Sequence, residues 1–153
     1  MSKEVVSKQM FEIMVKHLVN IEEEKEQVLG KYYPDITEKR DAYEAVITEY
    51  IKKIEGYISN YKVDDAIKSA CPCVIIGSIV ELEDLQYNEI EKYQIVSPFE
   101  SKMAFKTETA SYLSPMGKAL LLKRPNEQVN VETPMGKFAY IIKSIEVPQE
   151  ALI

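Results

Sequence analysis

Two carboxylates three residues apart, Asp35 and Glu38, stand in the stretch Pro34-Asp35-Ile36-Thr37-Glu38-Lys39-Arg40-Asp41. At positions i and i+3 beside a helix start, such a pair can face one way. Their hard oxygens suit Mg2+, which keeps several waters and needs only one or two protein carboxylates. A second metal held near a first in this way could activate water for in-line attack on a phosphodiester. The same residues also fit a capping box, with Asp35 as N-cap and Glu38 three positions on, which would merely satisfy the free N–H groups of a helix start. Asp41 is a reserve ligand or a solvated charge. Lys39 and Arg40 read as surface charges, within reach of RNA or acidic groups of a partner.

The other residue types that carry chemistry are sparse. Both cysteines fall in Cys71-Pro72-Cys73, too close for an ordinary structural disulfide, and the lone histidine is His17. A zinc site of four side chains would need carboxylates from elsewhere, so the segment reads as metal or redox chemistry on one side and as a strand entry with small buried thiols on the other. His17 lies beside an apolar seam on an expected surface and reads as solvated. Met10 and Met14 read as seam packing.

The elements that must position these groups differ between the two halves of the 153 residues. From Phe11, the residues Phe11, Met14, Leu18, Ile21, Lys25 and Val28 step by alternating threes and fours, as a heptad seam does. Glu22, Glu23, Glu24 and Glu26 form its solvated back, and Gly30 is the expected C-cap. A second seam, Ile47, Ile51, Ile54 and Ile58, has Ala42, Val46 and Tyr50 beside it. The connection Lys31-Tyr32-Tyr33-Pro34 is short, so the helices must be antiparallel. Helices of about 25 residues give an arm roughly 35–40 Å long, too thin to hold a core of its own size.

Beyond Asn60 the helical period fades. Tyr61 to Ala70, with Asp64-Asp65, reads as a linker, and from Cys73 the pattern turns to short β-type runs. These are Val74–Ile76, Ile79–Leu82, Tyr93–Val96, Glu108–Leu113, Gln128–Glu132 and Phe138–Ile142, several alternating apolar with polar. Met116 to Lys123 can form one short helix, and Thr133-Pro134-Met135-Gly136-Lys137 the last hairpin turn. The expected fold class is α+β: an antiparallel α-helical hairpin, a coiled coil, over residues 1–60, a linker over 61–73, and an antiparallel sheet domain with one short helix over 74–153.

Composition narrows the function classes. A formal net charge of −6 argues against a protein whose affinity comes from neutralising the phosphates of duplex DNA. An apolar fraction of 46% with four Phe and ten Tyr supports a modest core rather than wholesale disorder. No apolar run approaches the roughly 20 residues of a membrane span, and Met1-Ser2-Lys3-Glu4 lacks the apolar stretch of a signal peptide, so the expected compartment is cytoplasmic.

Four ordered blocks, Gly77-Ser78-Ile79-Val80, Tyr93-Gln94-Ile95-Val96, Ser114-Pro115-Met116-Gly117-Lys118-Ala119-Leu120-Leu121 and Val129-Asn130-Val131-Glu132-Thr133-Pro134-Met135-Gly136, resemble the C-terminal domain of the bacterial Gre transcript-cleavage factors. The resemblance covers nearly the whole chain, because that family also sets a helical hairpin before a domain of FKBP-like fold. It implies a monomer that docks on the rim of the secondary channel of RNA polymerase. The hairpin would reach toward the polymerase's catalytic Mg2+ and, indirectly, the 3′ end of the nascent RNA, which the polymerase then cuts. Asp35 and Glu38 resemble the Asp-x-x-Glu pair that carries this activity, and the chain alone would hold no metal or cofactor. The matching docking positions are Ser111, Leu113, Ser114 and Pro115; the family often has a polar or acidic residue where Leu113 stands.

Against the family pattern, the hairpin is shorter by a turn or two in each arm. That motivates a second reading, a channel-binding regulator or inhibitor without cleavage activity. A third, from another class, is a peptidyl-prolyl isomerase, suggested by fold alone. It would require an aromatic-lined prolyl pocket, for which Phe99, Phe105, Phe138 and a few Tyr, without Trp, give no clear sign.

Overall fold

The computed structural model describes residues 4–66, 70–99 and 107–148. The chain divides into two units, the first reaching to Ser69 and the second beginning at Ala70. Phe105 lies outside the described residues.

The first unit is the expected helical hairpin, closed at its base by a small sheet. In chain order it contains β1 (Val5–Val6), α1 (Lys8–Lys31), α2 (Glu38–Asn60) and β2 (Lys62–Val63). Ser7 starts α1, its hydroxyl accepting from the Met10 N–H at 3.0 Å. Gly30 does not end the helix. The chain runs on to Lys31, and the Val28 carbonyl accepts from the N–H groups of both Tyr32 and Tyr33, so no left-handed residue is needed. At the base, β1 and β2 pair in parallel, so the first residues of the expected linker are held as a strand.

The seam between the helices is shifted from the expected one. Met14, Ile21 and Val28 are buried as expected, but Met10 and His17 take the alternate places, while Phe11, Leu18 and Lys25 flank them half-buried. On α2 the buried line is Tyr43, Ile47, Tyr50 and Ile54, with Ile51 and Ile58 half-buried beside it. Both lines have heptad steps, so the period alone could not separate them; the polar pairing did. His17 Nε2 lies 2.7 Å from the Tyr50 hydroxyl, and the two rings meet edge to face. A histidine expected in solvent is thus 3% exposed.

Burial lowers the His17 pKa from 6.5 to about 4. A neutral ring is the form that fits beside the Tyr50 hydroxyl. Above pH 6.5 neither folded nor unfolded chain is protonated here, so the site is neutral with respect to pH. Below it the unfolded chain takes up a proton that the folded one refuses, and stability falls with pH until about pH 4. The shift is worth about 3 kcal/mol. Urea unfolding of the hairpin followed by helical circular dichroism should show this loss between pH 7 and about pH 4. In His17→Gln, which keeps a polar group but cannot titrate, the acid-induced loss should be smaller by that amount.

The second unit holds β3 (Ile79–Asp84), β4 (Ile90–Val96), β5 (Glu108–Ser111), α3 (Pro115–Leu120), β6 (Gln128–Thr133) and β7 (Gly136–Glu146). The strands form one sheet in the order β5-β4-β3-β7-β6. Three pairings are antiparallel, while β4 and β5 run parallel with Tyr93 opposite Glu108 and Val96 opposite Ser111, so the sheet is mixed. A register shift between Glu81 and Leu82 lets β7 place both Ile142 and Ile145 against the β3 residues Leu82 and Val80. Buried Val80, Leu82, Ile95, Val129, Val131 and Ile142 make the inner face. The short α3 packs against β5 and β6, the two edge strands, which a flat sheet of five strands about 4.8 Å apart would not allow, so the sheet curls around the helix.

Val74–Ile76, expected as a strand, is a buried irregular segment. Its backbone is satisfied from two sides. Val74 exchanges hydrogen bonds with Leu122 and Lys123, and the Ser78 hydroxyl donates to the Ile75 carbonyl at 2.6 Å. The same pairing ends α3 at Leu120 rather than Lys123, with Leu122 turned to φ 67°. The last hairpin turn forms as expected, with Thr133 opposite Gly136 and the Thr133 hydroxyl accepting from the Met135 N–H.

Candidate functional site

The end of the hairpin is built from behind. Thr37, in extended conformation, is the N-cap of α2, and its hydroxyl accepts from the Arg40 N–H at 3.2 Å. Asp35 is therefore not the cap, and the capping-box reading of Asp35 with Glu38 does not hold; the residue that does the capping sits two positions later. The Arg40 guanidinium folds back on the loop, donating to the Tyr33 carbonyl at 3.2 Å and the Pro34 carbonyl at 3.4 Å, while its Nε meets Glu44 at 3.2 Å. Tyr33 stacks on Tyr43 with ring centroids 5.5 Å apart. Arg40, read from the sequence as a plain surface charge, is thus the fastener of the connection.

Held this way, residues 34–39 are all exposed, with Ile36 at 87%. Asp35 lies in the connection and Glu38 opens α2, with Asp41 in the same first turn. Among the described residues neither Asp35 nor Glu38 has a hydrogen bond or ion pair. Their oxygens are free of the local tasks that most often explain acidic residues at a helix start. Two carboxylates can complete a Mg2+ shell whose other positions come from a partner or from water. Among the described residues, no three His, Cys, Asp or Glu side chains come together as a metal site.

The four positions matched to docking lie in the second unit, on the turn from β5 into α3. Ser111 and Ser114 spend their hydroxyls internally: Ser111 Oγ accepts from the Leu113 N–H at 3.0 Å, and Ser114 Oγ donates to the Ser111 carbonyl at 2.7 Å and accepts from the Gly117 N–H at 3.0 Å. Pro115 is exposed at the first helical position, where its missing N–H costs nothing. Leu113 and Pro115 are therefore what this turn offers a neighbour, and the serines fix its shape.

The cysteines offer little chemistry. Both are buried, the Cys71 thiol donates to the Cys73 carbonyl at 3.0 Å, and burial pushes its pKa up to about 11, so it stays a thiol at neutral pH. No described helix is long and apolar enough to cross a membrane.

With this geometry in hand, comparison with known proteins is direct. Residues 69–147, just over half of the chain, match the family described as transcription elongation factor, GreA/GreB, C-terminal domain. The elongation factor GreA of Desulfovibrio desulfuricans is 37% identical over 92 residues, which are 60% of this chain and 56% of that protein. GreA of Novosphingobium aromaticivorans is 32% identical over 114 residues, 74% of this chain and 68% of its own length. The matches to the first two relatives span only 56% and 57% of their lengths. Among solved structures, the GreA/GreB factor of Nitrosomonas europaea superposes with a TM-score of 0.50 at 18% identity, covering 94% of this chain and 99% of that one, a likeness of fold. GreA factor homolog 1 of Thermus thermophilus matches at 28% identity with a TM-score of 0.42, over 94% and 99% of the two chains. A hairpin ahead of a curled sheet, and a family match across the whole of that sheet, make this chain a member of the GreA/GreB transcription elongation factor family.

Proposed function

We propose that the chain is an accessory factor of RNA polymerase that stimulates cleavage of backtracked RNA, the hydrolysis itself being done by the polymerase. In this reading the turn carrying Ser111, Leu113, Ser114 and Pro115 docks on the rim of the secondary channel, and the hairpin carries Asp35 and Glu38 to the catalytic centre. There a Mg2+ ion shared with the polymerase would supply an activated water. The chain's own part is to hold two carboxylates at a fixed, exposed end and to leave them uncommitted. The observation that carries the proposal is that uncommitted state: Thr37 caps α2, Arg40 and Tyr33 fasten the connection, and Asp35 and Glu38 are left over.

The test is to add the purified protein and Mg2+ to stalled, backtracked elongation complexes and follow shortening of the RNA. Faster cleavage than in the factor-free control is expected. Binding without acceleration would replace this reading by that of a channel-occupying regulator, and absence of any polymerase binding would end both.

A further inference from the structure

Arg40 stands where helix electrostatics would not put it. It lies in the first turn of α2, beside the positive end of the helix dipole, where a carboxylate is favoured and a cation is not. Its side chain offsets that cost with directed contacts. Nε meets Glu44 one turn on at 3.2 Å, and Nη1 donates to the Tyr33 carbonyl at 3.2 Å and the Pro34 carbonyl at 3.4 Å. Its backbone N–H donates at the same time to the Thr37 hydroxyl. One residue therefore grips the connection on both sides of Asp35, at the carbonyls just before it and at the cap just after it. The Tyr33 ring, stacked on buried Tyr43, gives the near side a footing on the hairpin core.

What that grip does follows from the chemistry of the carboxylates. Mg2+ demands near-octahedral geometry from its oxygens, and a misplacement of about 1 Å at a reacting centre costs on the order of 10²-fold in rate. A connection free to wander would present Asp35 and Glu38 in many relative positions, few of them able to share one ion. Glu38 is fixed by the helix it opens, whereas Asp35 lies outside any helix or strand, so its place depends on the fastening. A guanidinium suits this task and an ammonium does not, since a planar fork can hold Glu44 through Nε while Nη1 reaches the loop carbonyls. With these donors spent on Glu44 and on carbonyls, Arg40 does not neutralise the carboxylates it places. Among the described residues neither Asp35 nor Glu38 is paired with it.

We propose that Arg40 is a positioning residue for RNA cleavage, fixing Asp35 relative to Glu38 before the chain meets the polymerase. The inference rests on the accessory-factor reading, and its test separates the two. Backbone amide relaxation of the full chain reads the fastening directly. Asp35 and Ile36 should be as rigid as the helices, with order parameters of about 0.85, and should fall below about 0.6 in Arg40→Ala. Arg40→Lys, which keeps the charge and loses the fork, should fall with it. On backtracked elongation complexes both variants should lower the cleavage rate at saturating factor by about tenfold or more. The factor concentration at half effect should stay unchanged, while the Mg2+ concentration at half effect rises and excess Mg2+ recovers part of the rate. A residue that merely supported the helices would not move the Mg2+ requirement, and circular dichroism should show the helices intact. Unaltered order at Asp35 in both variants, an unchanged saturating rate, or a loss confined to the factor concentration required would each overturn the proposal. If the unaltered chain binds polymerase without accelerating cleavage, the reading beneath falls and the proposal falls with it.

Discussion

Replacing Asp35 and Glu38 together by alanine should abolish the stimulation of RNA cleavage, a loss on the order of 100-fold or more in the factor-dependent rate, and leave polymerase affinity and thermal unfolding nearly unchanged. The size follows from what such groups do at a reacting centre, where losing one preorganised charged or polar partner costs on the order of 10²–10³ in rate. The lack of effect on folding follows from the geometry at the end of the hairpin. Both side chains are exposed and unpaired among the described residues, and the cap of α2 belongs to Thr37. Surface changes away from such features stay within about 0.5 kcal/mol. Thr37→Ala should do the opposite, destabilising the hairpin by about 1 kcal/mol through the lost cap while leaving both carboxylates in place. Cleavage that survives the double alanine variant unchanged would show that the carboxylates are not the acting groups.

The contrast with Thr37 shows where reading the chain succeeds and where it stops. A hydroxyl residue directly before a periodic run is a cap by the simplest rule, yet Asp35 two positions earlier satisfies the same pattern with a well-spaced partner. Only the extended backbone at Thr37 separates the two. The heptad steps of α1 likewise fit a line through Phe11, Leu18 and Lys25 as well as one through Met10 and His17. Hydropathy favoured the first, and the chain takes the second because Tyr50 supplies His17 with a buried partner that no local pattern records. In the second unit the strands and the final hairpin turn were legible because alternation and turn chemistry are local. Val74–Ile76 misled for the reverse reason: an apolar run reads as a strand, but its partners are Leu122 and Lys123, nearly fifty residues away and just beyond a helix. The parallel pairing of β5 with β4 is likewise a matter of register, since nothing in the sequence sets Glu108 beside Tyr93 until the two strands meet.

Register also makes one small residue in the second unit matter more than its exposed neighbours. Gly117→Ala should destabilise that unit by about 3 kcal/mol or more, because a Cβ there would stand 1.9 Å from the Ser111 carbonyl oxygen and 2.9 Å from the Tyr112 Cα. Neither neighbour can swing aside. Both are backbone, and the Ser111 carbonyl already accepts from the Ser114 N–H at 2.9 Å and the Ser114 hydroxyl at 2.7 Å. Making room for one methyl group must push α3 off β5 and pull apart the turn that the two serines hold. Lys118→Ala, one residue on and exposed, should stay within about 0.5 kcal/mol and serves as the control. Hydrogen exchange read residue by residue will separate the outcomes: faster exchange across β3 to β7 with α1 and α2 unchanged is the expected pattern, while native protection throughout would show that the helix and the turn can part without cost. If residues 111–115 form the docking surface, the same substitution must also weaken polymerase binding although Asp35 and Glu38 are untouched, so the two ends of the chain can be disabled separately.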